Sequence, residues 1–163
     1  MAVENKWADS ALEAGNRSNA AVSPGGLTRE FVVSFETAAA DDNGSIFKLV
    51  RLPANAIMSD LKINCDAITG MTDVDLGLYD EDGVTAADVD CYMDGADIAA
   101  GQAIGSEENG LAAVDVADLG KKAWEIAGDT ISNKQGSYVL ALTANTMGSG
   151  VGTITVRGRY IEG

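Results

Sequence analysis

From Leu27 onward, apolar and polar positions alternate along the chain. Phe31, Val33 and Phe35 share one face of an extended strand, because successive side chains of a strand point to opposite sides. The next apolar run, residues 45–52, places Ile46, Lys48, Val50 and Leu52 on one side and Phe47, Leu49 and Arg51 on the other. Both faces are mixed, which predicts a strand covered on one side and touched on the other. After the turn at Pro53-Ala54-Asn55, Ile57, Ser59, Leu61 and Ile63 alternate with Met58, Asp60, Lys62 and Asn64, a half-buried strand. In residues 73–80, Val74, Leu76 and Leu78 point one way while Asp73, Asp75, Gly77 and Tyr79 point the other.

Further strands are predicted at 122–126, 136–143 and 152–161. Residues 84–118 are acidic, rich in small residues and weakly periodic, and predict a long excursion with short helical turns near 86–90 and 98–105. Glu81-Asp82-Gly83 and Gly148-Ser149-Gly150-Val151-Gly152 read as a turn and a hairpin connection. Seven or eight short strands without a long amphipathic helix predict an all-β fold, an antiparallel jelly-roll-like β-sandwich of about eight strands.

Residues 1–26 differ. They are rich in Ala, Asn, Ser and Gly and end in Ser23-Pro24-Gly25-Gly26, which stops any helix. We expect an extended N-terminal arm, with the sandwich domain at 27–163. Trp7 and Leu12 fall on one face of a short helix over residues 3–14, although a five-residue spacing suits 3.6 residues per turn poorly. The alternative is a disordered terminus.

Composition narrows the chemistry. At 163 residues and 46% hydrophobic, the chain can bury a single core without disulfide or metal staples. It has no histidine, so a Ser-His-Asp triad is excluded and an enzyme is not expected. Carboxylate pairs abound, but Trp7, Tyr92 and Trp124 are too scattered in sequence to count as the aromatic platform of a sugar site without a structure. Cys65 and Cys91 stand 26 apart with no further ligands for zinc, and read as two reduced thiols, the alternative being one disulfide. The N-terminal sequence shows no secretory pattern and no run reaches membrane-spanning length, so we expect neither export by a signal nor a membrane partner.

Charge is concentrated. Residues 60–130 hold 17 of the 25 acids against Lys62, Lys121 and Lys122, a net of 3 − 17 that equals the −14 of the whole chain. An acidic surface of this kind repels nucleic acid and anionic lipid, so nucleic acid is not an expected partner. Asp80-Glu81-Asp82-Gly83 resembles a fragment of a calcium loop. With Asp80 and Asp82 at loop positions three and five, however, positions one and twelve fall on Leu78 and Val89, which cannot ligate. Turn aspartates bonded to local amides are the better account, a looser calcium site with Asp88 or Asp90 the alternative. No cofactor or metal is expected. On the last strand Arg157 and Arg159 share the face opposite Ile154, Val156 and Tyr160. A charged edge strand explains them, or a pairing with the acidic stretch of a neighbouring copy.

The stretch FKLVRLPANAIMSDLKINCDAITGMTDVDLGLYDEDG, Phe47 to Gly83, resembles small structural proteins of tailed bacteriophages, in which a strand ending in Leu-Tyr-Asp and a glycine turn follows an Arg-Leu-Pro strand pair. The resemblance covers between a quarter and a half of the chain and describes strands and turns. It implies a non-catalytic virion protein, a capsid decoration or cement protein of jelly-roll type. Such a protein is made in the host cytoplasm and sits on the capsid exterior, with the major capsid protein and itself, as a homotrimer, for partners. Trp7, Leu12 and Arg17 of the arm, with Arg157 and Arg159, are then the candidate capsid or inter-subunit contacts. The competing function is a carbohydrate-binding β-sandwich or adhesive fibre head, calcium-dependent if the aspartates are its working surface.

Overall fold

A computed structural model describes residues 5–7, 22–23, 26–129 and 136–162. The alternating segments become β3 (Gly26–Glu36), β4 (Ser45–Pro53), β5 (Ala56–Cys65), β6 (Asp73–Tyr79), β9 (Ser137–Thr146) and β10 (Thr153–Glu162). To these are added β1 (Asn5–Trp7), β2 (Val22–Ser23), β7 (Ala86–Ala96) and β8 (Glu108–Asn109). They form two sheets, one in the order β1-β4-β9-β6-β7 and the other β2-β3-β10-β5-β8. From β3 to β10 the chain changes sheet at every connection except β6 to β7. With the orders 4-9-6-7 and 3-10-5-8, this is the jelly-roll arrangement of two packed sheets.

The core lies between the sheets. Phe31, Val33 and Phe35 of β3 meet Phe47 and Leu49 of β4, and the Phe35 and Phe47 rings stack with centroids 4.7 Å apart. In β4 the register shifts between Lys48 and Val50, so Phe47 and Leu49 and then Val50 and Leu52 all enter the core. The bulge explains why neither face of this run was uniformly apolar in the sequence. Strand β9, between β4 and β6, is buried from Tyr138 to Ala144, as a central strand covered on both sides should be.

Several expectations are corrected. Asn5–Trp7, inside the segment expected to be helical, is a strand that pairs parallel with Ile46, Phe47 and Lys48 of β4; the remainder of 3–14 lies outside the described residues. The edge of β4 offers backbone partners, whereas the Trp7–Leu12 spacing gives a helix little to bury. Residues 86–90 are not a helical turn but the start of β7, whose alternation is broken by bulges against β6. Residues 98–105 form turns with one isolated bridge, Gln102 to Cys65. At 122–126 the chain makes one helical turn, α1 (Ala123–Ile126), instead of a strand, and the Glu125 carboxylate accepts the Lys122 N–H at 2.8 Å. The glycine-rich link 147–152 is not a hairpin, since it carries the chain from one sheet to the other. Finally, β10 is not an edge strand: it lies between β3 and β5.

Candidate interaction surfaces

Each sheet has an outer face, and the two are built differently. On the sheet of β3, β10 and β5, the outward side chains form cross-strand rows. Val32, Arg157 and Lys62 stand in one register, Ser34, Thr155 and Asn64 in the next, and Glu30, Arg159 and Asp60 in a third. Facing side chains in such rows are close enough to pair. Arg159 Nε meets Glu30 Oε1 at 2.6 Å, and the Ser34 and Thr155 hydroxyls lie 2.8 Å apart. Arg157 donates to Glu107, which reaches in from the segment before β8. Backbone N–H groups at Glu107 and Gly105 hold the Glu107 carboxyl below its ordinary value, with Arg157 and Lys62 adding to the effect. On the opposite side of the same strands, that of Phe31 and Tyr160, Arg29 pairs with Glu162 at 2.5 Å at the end of the ladder. The outer face is open, and Val32 at its centre is 66% exposed.

The outer face of β4, β9, β6 and β7 is closed. Tyr79, Val139 and Ala141 form a buried apolar cluster there, with Ile46 and Val89 packed against it. Lys48, Asp75 and Thr143 are buried on the same side. The cover comes from β7. Between the pairs Leu78–Asp88 and Leu76–Met93, β6 has Gly77 alone where β7 has four residues, so the chain bulges outward and over the sheet. A side chain at Gly77 would collide with it, since a Cβ there would lie 2.2 Å from the Val89 carbonyl carbon and 2.3 Å from the Asp88 oxygen.

Polar groups pin this cover in place. Asp75 accepts the Gly95 N–H at 2.9 Å and the Asn145 amide at 2.6 Å, and Tyr79 shares a 2.6 Å hydrogen bond with Thr143. Burial pushes the Tyr79 phenol up, against the opposing effect of the Thr143 bond. On the bulge, burial and the bond and charge of Asp90 push the Asp88 carboxyl up to about 6. Sequence alternation put Asp75 and Tyr79 on the outward side correctly but gave no hint that this side is covered. The one signal was Gly77, because a glycine inside a strand marks a bulge or a close backbone approach.

The candidate contact residues are not brought together. Arg157 and Arg159 stand on the open face, already paired within the chain, whereas the Trp7 backbone lies at the β4 edge of the other sheet, in register with Lys48. Leu12 and Arg17 lie outside the described residues. The Asp80–Gly83 turn joins β6 to β7. The Asp82 carboxylate takes the Val84 N–H at 2.7 Å, the Thr85 N–H at 2.8 Å and the Thr85 hydroxyl at 2.7 Å, and these bonds hold it below its ordinary value. That is a turn aspartate satisfied locally. Among the described residues no group of three or more His, Cys, Asp or Glu is placed to hold a metal ion. Tyr92 is buried and offers no ring to a sugar, and Trp124 packs half-buried against the core. Cys65 and Cys91, on β5 and β7 of opposite sheets, are free thiols, both pushed up by burial. A crevice of about 10 Å³ between Met58, Tyr92, Leu111 and Ile126 has room for a single water. Among the described residues no helix is long and apolar enough to cross a membrane.

No family model matches the sequence, and no curated protein matches it. Among solved structures, a chain of the capsid of Ralstonia phage GP4 is similar over 92% of this chain and 94% of its own length, with a TM-score of 0.54 and 13% sequence identity. The likeness is one of fold.

Proposed function

We propose that this protein is a structural, non-catalytic component of a tailed-phage virion, a decoration or cement protein that binds the exterior of the capsid and reinforces it. The observation that carries this reading is the jelly roll shared over nearly the full length with a chain of a phage capsid. The strand-and-turn resemblance of Phe47 to Gly83 points the same way. In this reading the protein is made in the host cytoplasm, and its partners are the major capsid protein and two further copies of itself.

The architecture suits the task. A closed, bulge-covered sheet makes a rigid slab, and an open sheet face and strand edges are left for contacts. The concentrated acids turn outward and keep particles apart by repulsion, while the neutral part of the chain meets the shell.

The test is recruitment. Full-length protein is mixed with heads lacking it, from the virus whose genome carries this gene, and co-sedimentation and head survival on heating are measured. Saturable binding with raised survival is expected. No binding, together with calcium-dependent retention on a glycan array, would overturn the reading in favour of a carbohydrate-binding module. Deleting residues 2–24 tests the arm: undiminished occupancy would remove it from the contact.

A further inference from the structure

We infer that the bulge of β7 is a pH-operated latch, closed over the outer apolar cluster while Asp88 and Asp90 share one proton and released when both carboxyls are charged. Its parts are a seat, a plug, an anchor and a pair of acids that hold the plug between them.

The seat is the cluster of Tyr79, Val139 and Ala141, buried although it lies on the outer side of the sheet. The plug is Val89, which packs against that cluster and whose carbonyl passes directly over Gly77. The anchor is Tyr92, buried in the core between the sheets, whose carbonyl accepts the Ala113 N–H at 3.0 Å. Residues 89–92 have no register partner on β6, so the plug is held by its apolar contacts and not by strand pairing. A segment held in this way opens locally before the sheet does.

Asp88 and Asp90 stand on either side of Val89. In a regular strand, residues two apart are separated by about 6.6 Å at 3.3 Å per residue. The bulge instead draws these two carboxyls into one hydrogen bond, which needs a proton on one of them. With the proton, the pair fastens the chain across Val89. Without it, like charges meet with Asp88 half-buried, and straightening the bulge relieves both the repulsion and the burial while it withdraws Val89. The neighbouring elements bring no charge that replaces the proton. On β7 the Cys91 thiol is pushed up by burial and by Asp88 and Asp90, so it stays neutral. From β6, Asp75 is engaged with Gly95 and Asn145, and Tyr79 with Thr143. From β4 the Lys48 stem lies against Gly83, its charge acting on Asp82, and Arg51 reaches Glu81. Strand β9 presents Val139, Ala141 and Thr143 on this side, and residues 112–114 beside Tyr92 are uncharged. Burial and Asp90 therefore keep the Asp88 proton to about pH 6, against the weaker effect of the Asp90 N–H that Asp88 accepts. The closed latch is fully favoured below about 3.8 and loses that preference as pH rises through about 6.

The experiment reads opening directly beneath the bulge. Two full-length variants are made, Val139→Cys in the covered cluster and Val156→Cys in the core between the sheets, both at fully buried positions. Labelling of each new thiol by iodoacetamide is followed by peptide mass spectrometry, which separates it from Cys65 and Cys91, and rates are corrected for thiolate content with the matching free peptides. Position 139 is expected to open more readily than 156, and its opening equilibrium to rise about tenfold from pH 5 to pH 7.5. Adding Asp88→Asn should abolish that rise. A flat response at 139, equal opening at the two positions, or a rise that survives Asp88→Asn would each overturn the latch. Should Val139→Cys fail to fold, hydrogen exchange of the unaltered chain decides the matter. Peptides from 86–92 must then open more readily than those from 153–162 and gain about tenfold over the same pH range, and a uniform change along the chain overturns the inference.

Discussion

The outer faces of the two sheets carry similar alternation and opposite fates. On β3, β10 and β5 the outward positions remain open, joined into rows such as Glu30, Arg159 and Asp60. On β9 and β6 the outward positions Val139, Ala141 and Tyr79 are buried beneath a bulge of β7. The difference teaches that a period-two pattern reports which side of a sheet a residue occupies, and says nothing of what lies beyond that side. The covered face gains a second, small apolar cluster and rigidity. The open one keeps a charged surface whose ion pairs are individually weak.

The sharpest way to break the comparison is Gly77→Ala. The new methyl would meet backbone atoms of Val89 and Asp88 at 2.2 and 2.3 Å, so the bulge must lift, at a cost of about 3 kcal/mol. Ser34→Ala on the open face should stay within about 1 kcal/mol. Urea midpoints measure both, and equal losses would mean that the two faces are not different in kind.

A smaller loss is expected for Asp75→Ala. It leaves the Gly95 N–H and the Asn145 amide without their acceptor, which costs about 1–3 kcal/mol. Hydrogen exchange at Gly95 should rise with it. If the exchange rate is unmoved, Asp75 does not anchor the cover.

Next comes pH. The Asp88 carboxyl, ordinarily near 3.8, titrates at about 6 in the folded chain, because burial and Asp90 disfavour its charge. The folded state therefore binds the extra proton more tightly. Its contribution to stability is complete below about 3.8 and is lost as pH rises through about 6. Asp82 and Glu107 have the opposite sign: their folded values are lowered, so their contributions are present above about 3.8 and 4.5 and lost on further acidification. Thermal melts should thus show Tm falling as pH rises across about 6, and Asp88→Asn should flatten that slope while leaving the acid limb. A slope that survives Asp88→Asn would assign it to another group.

The smallest effect belongs to the open face. Arg159→Ala removes a pair whose partners are both more than half exposed, and should cost no more than about 1 kcal/mol. A double-mutant cycle with Glu30→Ala reads the coupling directly, and added salt should shrink it.

Much of this architecture was legible in the sequence, and the exceptions have physical causes. Strands β3, β6 and β10 were visible because each keeps its alternation, with Phe31, Val33 and Phe35 or Ile154, Val156 and Tyr160 on one side, whereas β5 changes phase at a bulge between Met58 and Asp60, so Met58 joins Leu61 and Ile63 in the core and Ser59, expected on their face, is exposed. Strand β7 was hidden because its eleven residues oppose only six of β6, from Val74 to Tyr79, and the surplus scrambles its period. At 122–126 a short run with Trp124 and Ile126 suited either periodicity, and Glu125 closing on the Lys122 N–H settled it as a helical turn. The arginines of β10 were placed on the correct face but in the wrong position within the sheet, since strand order depends on partners far away in the chain.

What the sequence determined by itself was local: where the backbone extends, where glycine and aspartate turn it, and which side chains share a side, all consequences of neighbours within a few residues. Only the tertiary structure decided which outward side is covered, which strands are central and which edge is left for β1, because each depends on where distant segments come to lie. Gly77 joins the two levels. Its missing side chain is written in the sequence, and its purpose is visible only once Val89 lies across it.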